Sequence, residues 1–201
     1  MKLIRTAIAA ISIVSFAQGT MAQTEKGTGA GIYMTASDYA GKNISHQITC
    51  GSRDKIKYDY LFNAGRVKVI HDGKAEAFSK KELYGFRDCA GRDYRFINNS
   101  AYQLLDTAGF YIYSHTEIMQ AKGYQPSVTR YYFSTVSTGP VQALTIDNLE
   151  KAFPGNKAFH YMLDMQFKTD RDLVAYDSFL HMYKIKYLFE QSQSAKNISK
   201  L

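Results

Sequence analysis

The chain has 201 residues, with 25 Lys and Arg against 18 Asp and Glu, a formal net charge of +7 and 45% hydrophobic residues. Its basic residues are dispersed and never interleave with an aromatic tract, so the pattern of a nucleic-acid-binding protein is absent and no nucleic acid partner is expected. After the first 22 residues no stretch approaches the roughly 20 apolar residues that cross a bilayer, so no membrane span is expected in the mature chain.

Residues 1–22 read as a cleavable signal peptide. Lys2 and Arg5 form a positive start, Ala7 to Ala17 is an apolar stretch, and Thr20-Met21-Ala22 ends in a small residue before Gln23. Ser12, Ser15, Gln18 and Gly19 interrupt the apolar run, which argues against a membrane anchor. No cysteine lies near the cleavage point, so a lipid anchor is not expected either. Cleavage after Ala22 leaves 179 residues, enough for one domain with its own core, and lowers the formal charge to +5 because Lys2 and Arg5 depart. A periplasmic or secreted location follows. Export also gives a meaning to Cys50 and Cys89, the only cysteines, whose spacing is not that of a CxxC motif: they are expected to form a structural disulfide, with two buried free thiols as the alternative.

Residues 23–30 are polar, contain glycine and lack apolar periodicity, so they are expected to be a disordered lead-in to a single domain over 31–191. Its first part, 31–144, reads as β-rich. Asp72-Gly73, between Arg66–His71 and Lys74–Phe78, is the signature of a two-residue type I′ hairpin. Cys89-Ala90-Gly91, Thr107-Ala108-Gly109 and Ser137-Thr138-Gly139 each lie beside aromatic or aliphatic runs, and each predicts a three-residue hairpin loop with glycine in the left-handed conformation. In the first of these loops, charge fixes the register. A three-residue loop sets Asp88 against Arg92, Phe86 against Tyr94 and Tyr84 against Phe96 on one face, with Arg87 against Asp93 and Leu83 against Ile97 on the other. A two-residue loop would place Asp88 against Asp93 and so oppose like charges.

From Thr145 the hydrophobic period becomes helical. Thr145 predicts an N-cap for Ile146–Phe153, Pro154-Gly155 ends that segment, and Asn156 caps a second helix over Lys157–Phe167. Thr169 and Asp172 have capping-box spacing ahead of a third helix whose apolar stripe is Leu173, Tyr176, Phe179, Leu180, Tyr183 and Tyr187. The expectation is an α+β fold: an N-terminal antiparallel β-meander of about eight strands (31–144) followed by about three C-terminal helices (145–191) packing on it, with 192–201 a frayed polar tail.

The densest polar cluster runs from Tyr84 to Phe96. Tyr84, Arg87, Arg92, Tyr94 and Arg95 are the candidate ligand-binding residues, because guanidinium forks and aromatic faces suit an anionic or sugar-like ligand. The competing reading is that each Asp merely pairs with an Arg to stabilise the sheet. Tyr111, Tyr113, Tyr131 and Tyr132 could likewise line a carbohydrate or peptide face or border the interface between sheet and helices. His46, His71, His115, His160 and His181 include no short-spaced pair, and His160 with Asp164 falls short of the three or four ligands a metal needs, so neither metal nor cofactor is expected. Asp88, Asp93, Asp164, Asp172 and Asp177 all have alternative uses in turns, caps or ion pairs, and no GxSxG, Walker loop or GxGxxG occurs, so no catalytic residue is selected.

Gly31-Ile32-Tyr33-Met34-Thr35-Ala36, the Tyr84–Phe96 cluster, Leu149-Glu150-Lys151-Ala152-Phe153-Pro154, Tyr176-Asp177-Ser178-Phe179 and Met182-Tyr183-Lys184 together resemble a family of secreted proteins from Bacteroidota. The resemblance covers nearly the whole mature chain, implies export, and brings no assigned activity and no catalytic residue. The sequence therefore leads to a non-catalytic exported protein that binds an envelope glycan, peptide or protein, with a hydrolase of envelope polymers as the alternative.

Overall fold

The computed structural model describes residues 29–58, 65–119 and 126–198. The expected signal peptide and most of the expected lead-in lie outside the described residues. Ala30, assigned from sequence to the lead-in, instead starts the first strand and is buried.

Strand β1 (Ala30–Tyr33) leads into a short helix, α1 (Ala36–Ala40), where Thr35 and Asp38 form a reciprocal capping box. The chain then forms β2 (Ser45–Ile48), β3 (Lys55–Tyr58), β4 (Arg66–His71), β5 (Lys74–Ser79) and a 3-10 turn at Lys80–Glu82. Asp72 and Gly73 both have positive φ between paired His71 and Lys74, the type I′ turn that the sequence predicts. Next come β6 (Gly85–Arg87), β7 (Asp93–Ile97), β8 (Ser100–Asp106), β9 (Tyr111–Ile118), β10 (Ser127–Ser134) and β11 (Gln142–Ala143).

The fold is α+β with an eight-stranded antiparallel sheet in the order β11-β10-β9-β8-β7-β6-β1-β2. Six consecutive strands, β6 to β11, form a meander. The early strands do not simply extend it: β1 and β2 close the far end beside β6, while β3, β4 and β5 form a separate three-stranded sheet.

The turns test the predicted registers. Phe86 pairs with Tyr94 and Arg87 with Asp93, and the Asp88 amide donates to the Arg92 carbonyl at 3.0 Å, so the three-residue loop forms as expected, with Gly91 at φ 75°. The second loop is wider. Asp106 pairs with Ile112 and Leu104 with Tyr113 across a bulge, because Phe110 drops out of the turn to be fully buried. The third is wider too: Phe133 pairs with Gln142, and Gly139 does not have positive φ. Between the first and second of these loops, Asn98 and Asn99, both at positive φ, make a two-residue hairpin that joins Ile97 to Ser100.

Cross-strand partners share a face of the sheet. Phe86, Tyr94, Gln103, Ser114 and Tyr131 are successive partners and define one face. Two bodies pack on that face. At the β1–β7 end, Ile32, Phe86, Tyr94 and Phe96 meet Val67 and Val69 of the three-stranded sheet. At the other end, Ile112 and Phe133 meet a helical layer through Leu149, Phe159, Leu163 and Phe189. Burying four such side chains contributes on the order of 6–12 kcal/mol before conformational entropy is subtracted.

The helical layer begins as the sequence predicts. Thr145 Oγ1 accepts from the Asn148 amide to cap α2 (Ile146–Ala152), and Asn156 Oδ1 accepts from the Phe159 amide to cap α3 (Lys157–Gln166). The third predicted helix is a different object. Its Thr169–Asp172 capping box forms, but it opens only a 3-10 turn, Asp170–Val174, followed by a small hairpin of β12 (Tyr176–Asp177) and β13 (Met182–Tyr183) and then α4 (Lys184–Ile198). Asp177 accepts the Phe179 and Leu180 amides and so makes a turn where the helix was expected. The predicted stripe breaks accordingly: Leu173 is buried, whereas Phe179 is 88% exposed at the hairpin tip. Within the expected tail, α4 runs to Ile198 and Ser192 is buried, its hydroxyl accepting from the Asn156 amide group, while residues 199–201 lie outside the described residues.

Candidate functional site

Beside the three-stranded sheet, an open groove of about 510 Å³ lies on this face of the main sheet, lined by Tyr58, Arg92, Tyr94, Ala101, Gln103, Ser114 and Thr116. Its floor is rigid strand: Tyr94, Gln103 and Ser114 are successive cross-strand partners on β7, β8 and β9. Tyr58 of β3 forms the wall on the side of the small sheet, its ring 4.5 Å from Phe86 and 5.7 Å from Tyr94. Arg92 stands at the rim, half-exposed, with its guanidinium 6.0 Å from the Tyr94 ring and an ion pair of 2.7 Å to Asp88. Asp88 is oriented by the turn itself, accepting the Ala90 and Arg92 amides at 2.9 Å. Burial, with Tyr58 and Asp88 beside it, pushes the Tyr94 phenol well above its usual range, so it stays a neutral donor.

The Cys50–Cys89 disulfide forms, with Cα atoms 5.5 Å apart. It joins the segment between β2 and β3 to the β6–β7 turn, and so ties the chain leading to Tyr58 to the turn that carries Arg92. The groove lining offers tyrosine rings, an amide, hydroxyls and one guanidinium. Among the described residues its lining includes no Asp, Glu, His or Cys, and the Asp88 carboxylate is engaged by Arg92 at the rim.

The five sequence candidates are not one site, because the sheet separates them. Arg92 and Tyr94 belong to the groove. Arg87 and Arg95 point to the opposite face, as alternation requires, and Tyr84 joins them there. Tyr84 was expected beside Phe86. Instead Leu83 packs with Phe86 and Phe96, while Tyr84 stacks on Tyr39 at 5.4 Å. The chain departs from regular strand before Gly85, with the Tyr84 amide reaching the carbonyls of Tyr33 and Met34. On that face Arg87 holds Asp93 through two bonds, and Asp93 also accepts from Lys42 Nζ at 3.1 Å and the Tyr33 hydroxyl at 3.0 Å. Burial opposes the Asp93 charge, but the bonds from Arg87 and Lys42 outweigh it and hold the carboxyl below its usual range. Arg95 donates to the Tyr113 hydroxyl and the Gly139 carbonyl. These groups saturate one another as a structural network.

The aromatic residues considered as a binding face also divide. Tyr113 is fully buried on the network side, Tyr132 shares that face as its partner, and Tyr131 is exposed on the groove side. The carboxylates weighed as catalytic mostly have other uses: Asp88 in a turn, Asp93 in an ion pair, Asp172 in a cap and Asp177 in the β12–β13 turn. His160 Nε2 donates to the Phe153 carbonyl at 2.9 Å, and Asp164 is exposed.

One polar constellation was missed by sequence. His71 lies between Asp54, 2.7 Å from Nδ1, and Asp72, 3.3 Å from Nε2, on the three-stranded sheet. The three residues place possible metal-ligand atoms within 4.8 Å of one another. Both ring nitrogens already face a carboxylate, so charge pairing accounts for the arrangement. The hydrogen bond to Asp54 raises the His71 pKa, and the same bond lowers that of Asp54. A shallow hollow of about 120 Å³ beside it is lined by His46, Gln47, Val69, His71, Lys74 and Glu76.

No protein-family model, curated protein or solved structure matches this chain. Among the described residues no helix is long and apolar enough to cross a membrane.

Proposed function

We propose that this is an exported, non-catalytic binding protein of the periplasm or extracellular space, related to the secreted Bacteroidota proteins it resembles, and that its groove holds a glycan chain of the cell envelope. The observation that carries this reading is the groove itself. The Tyr58 ring and the accessible edge of Tyr94 meet sugar C–H surfaces, while Gln103, Ser114 and Thr116 of the strands and Arg92 of the β6–β7 turn supply donors and acceptors for hydroxyl or carboxylate groups. The disulfide supports the same reading, since it suits an oxidising compartment. Of the five candidate residues, Arg92 and Tyr94 act as ligand contacts, and Tyr84, Arg87 and Arg95 hold the sheet beneath them.

The test is a binding array of envelope glycans and soluble peptidoglycan fragments probed with the mature domain, wild type against Arg92→Ala and Gln103→Ala. Binding that both variants weaken supports the proposal. The competing hydrolase reading draws on His71 with Asp54 and Asp72, and release of reducing ends from the same panel, lost in His71→Ala, would replace the binding proposal with it.

A further inference from the structure

The eight-residue strand β10 is paired along its whole length with β9, from Ser127 against Ile118 to Ser134 against Tyr111. On its other side β11 pairs only with Tyr132 and Phe133, and the Leu144 amide adds one bond to the Tyr131 carbonyl before the chain turns away to cap α2. The stretch Ser127–Tyr131 is exposed. Strand backbone groups alternate sides residue by residue, so Thr129 and Ser127 present their N–H and C=O outward in the direction of Tyr131. Among the described residues no strand meets them. An edge of this kind is a template for another backbone, and natural proteins usually blunt it. Here it opens instead into a hollow of about 330 Å³ that continues the line of β11 and is lined by Thr129, Arg130, Tyr131, Leu144, Asp170 and Arg171, among others.

We infer that this edge is a second binding site, separate from the groove, which takes an extended acidic peptide by strand addition. The main-chain ladder supplies affinity, and the charge of the hollow selects the partner. Asp170 is engaged by the Ile146 amide at 2.9 Å, and Arg130 holds Glu117 only through an exposed 3.3 Å contact. Arg171 has no ion pair among the described residues. The lining carries two guanidinium groups, Arg130 and Arg171, against the one carboxylate of Asp170, a formal excess of one positive charge, which favours carboxylates over a basic segment or a second copy of this net-cationic chain.

The experiment uses a fluorescein-labelled peptide of four Thr-Glu repeats, read by anisotropy against the mature domain. Thr129→Pro removes one outward N–H at an edge position where proline is tolerated, and Thr129→Val removes the side-chain bond to Thr116 while keeping that N–H. The expected result is binding that falls about tenfold in Thr129→Pro, about fivefold in Arg171→Ala and less than about twofold in Thr129→Val. N-methylation of alternate peptide amides abolishes it, and Arg92→Ala in the groove leaves it unchanged. Circular dichroism confirms that each variant is folded. No binding of the parent peptide at about 1 mM, or equal binding of the N-methylated peptide, overturns the inference. So does a concentration-dependent dimer in sedimentation that Thr129→Pro abolishes, which would assign the edge to a second copy.

Discussion

Arg87 grips Asp93 with two parallel bonds, Nε to Oδ1 at 2.8 Å and Nη2 to Oδ2 at 2.9 Å, on the sheet face turned away from the groove. The two side chains are 15% and 11% exposed, so removing one leaves the other charged and poorly hydrated. Asp93→Asn is expected to lower unfolding free energy by about 3 kcal/mol in urea titration. Because the folded state depresses the Asp93 pKa, its contribution is complete above the unfolded carboxylate value near 4 and is lost as pH falls below it. The variant should therefore show a shallower acid limb than the wild type.

Lys186 is fully buried on α4, donates to the carbonyls of Ala108 and Phe110, and sits 3.6 Å from Asp106. Desolvation pushes its ammonium down to about 8. The unfolded chain keeps a lysine proton to about pH 10.4, so above about pH 8 the unfolded state binds more protons and stability rises with pH. Between about pH 7.5 and 9.5 the wild type should gain about 2 kcal/mol in chemical denaturation, and Lys186→Met should lose that slope. Above about pH 10 the trend reverses, because Tyr33, Tyr39, Tyr84 and Tyr94 have raised pKa values and ionise first in the unfolded chain.

The Cys50–Cys89 bridge closes a loop with a sequence separation of 39. On the chain-entropy account, reduction or a Cys50→Ala/Cys89→Ala double variant should cost about 4 kcal/mol, read as a lower urea midpoint with and without reductant.

Gly85 has no room for a side chain: a Cβ there would lie 1.8 Å from the Tyr94 carbonyl oxygen. Gly85→Ala must push β6 from β7 and is expected to destabilise by about 3 kcal/mol, with loss of protection from hydrogen exchange at Phe86 and Arg87.

The parts of this fold legible in the sequence are those set by local chemistry. The Asp72-Gly73 turn, the Asp88–Arg92 register and the Thr145 and Asn156 caps each follow from one or two residues acting on nearby backbone. What sequence could not supply came from tertiary demands. The glycine at 109 does take positive φ, yet burial of Phe110 against the helices widens the loop and inserts a bulge. Around Phe179 the helical period is accidental, because Asp177 turns the chain before a helix can continue. The groove was half legible. Arg92 and Tyr94 came from the charged hairpin, but Gln103 and Ser114 needed the Asn98-Asn99 turn to carry the register onward, and Tyr58 needed knowledge that β3–β5 leave the main sheet. Tyr84 shows the converse: strict alternation assigned it to the wrong face because the strand breaks at Gly85.

The groove is best tested by titrating the isotopically labelled mature domain with soluble peptidoglycan fragments and envelope oligosaccharides and mapping amide shifts. The account predicts that a bound glycan perturbs Tyr58, Arg92, Tyr94, Gln103, Ser114 and Thr116, and that Arg92→Ala weakens it by about tenfold. Shifts confined to the opposite sheet face, or none across the panel at about 1 mM, would contradict it.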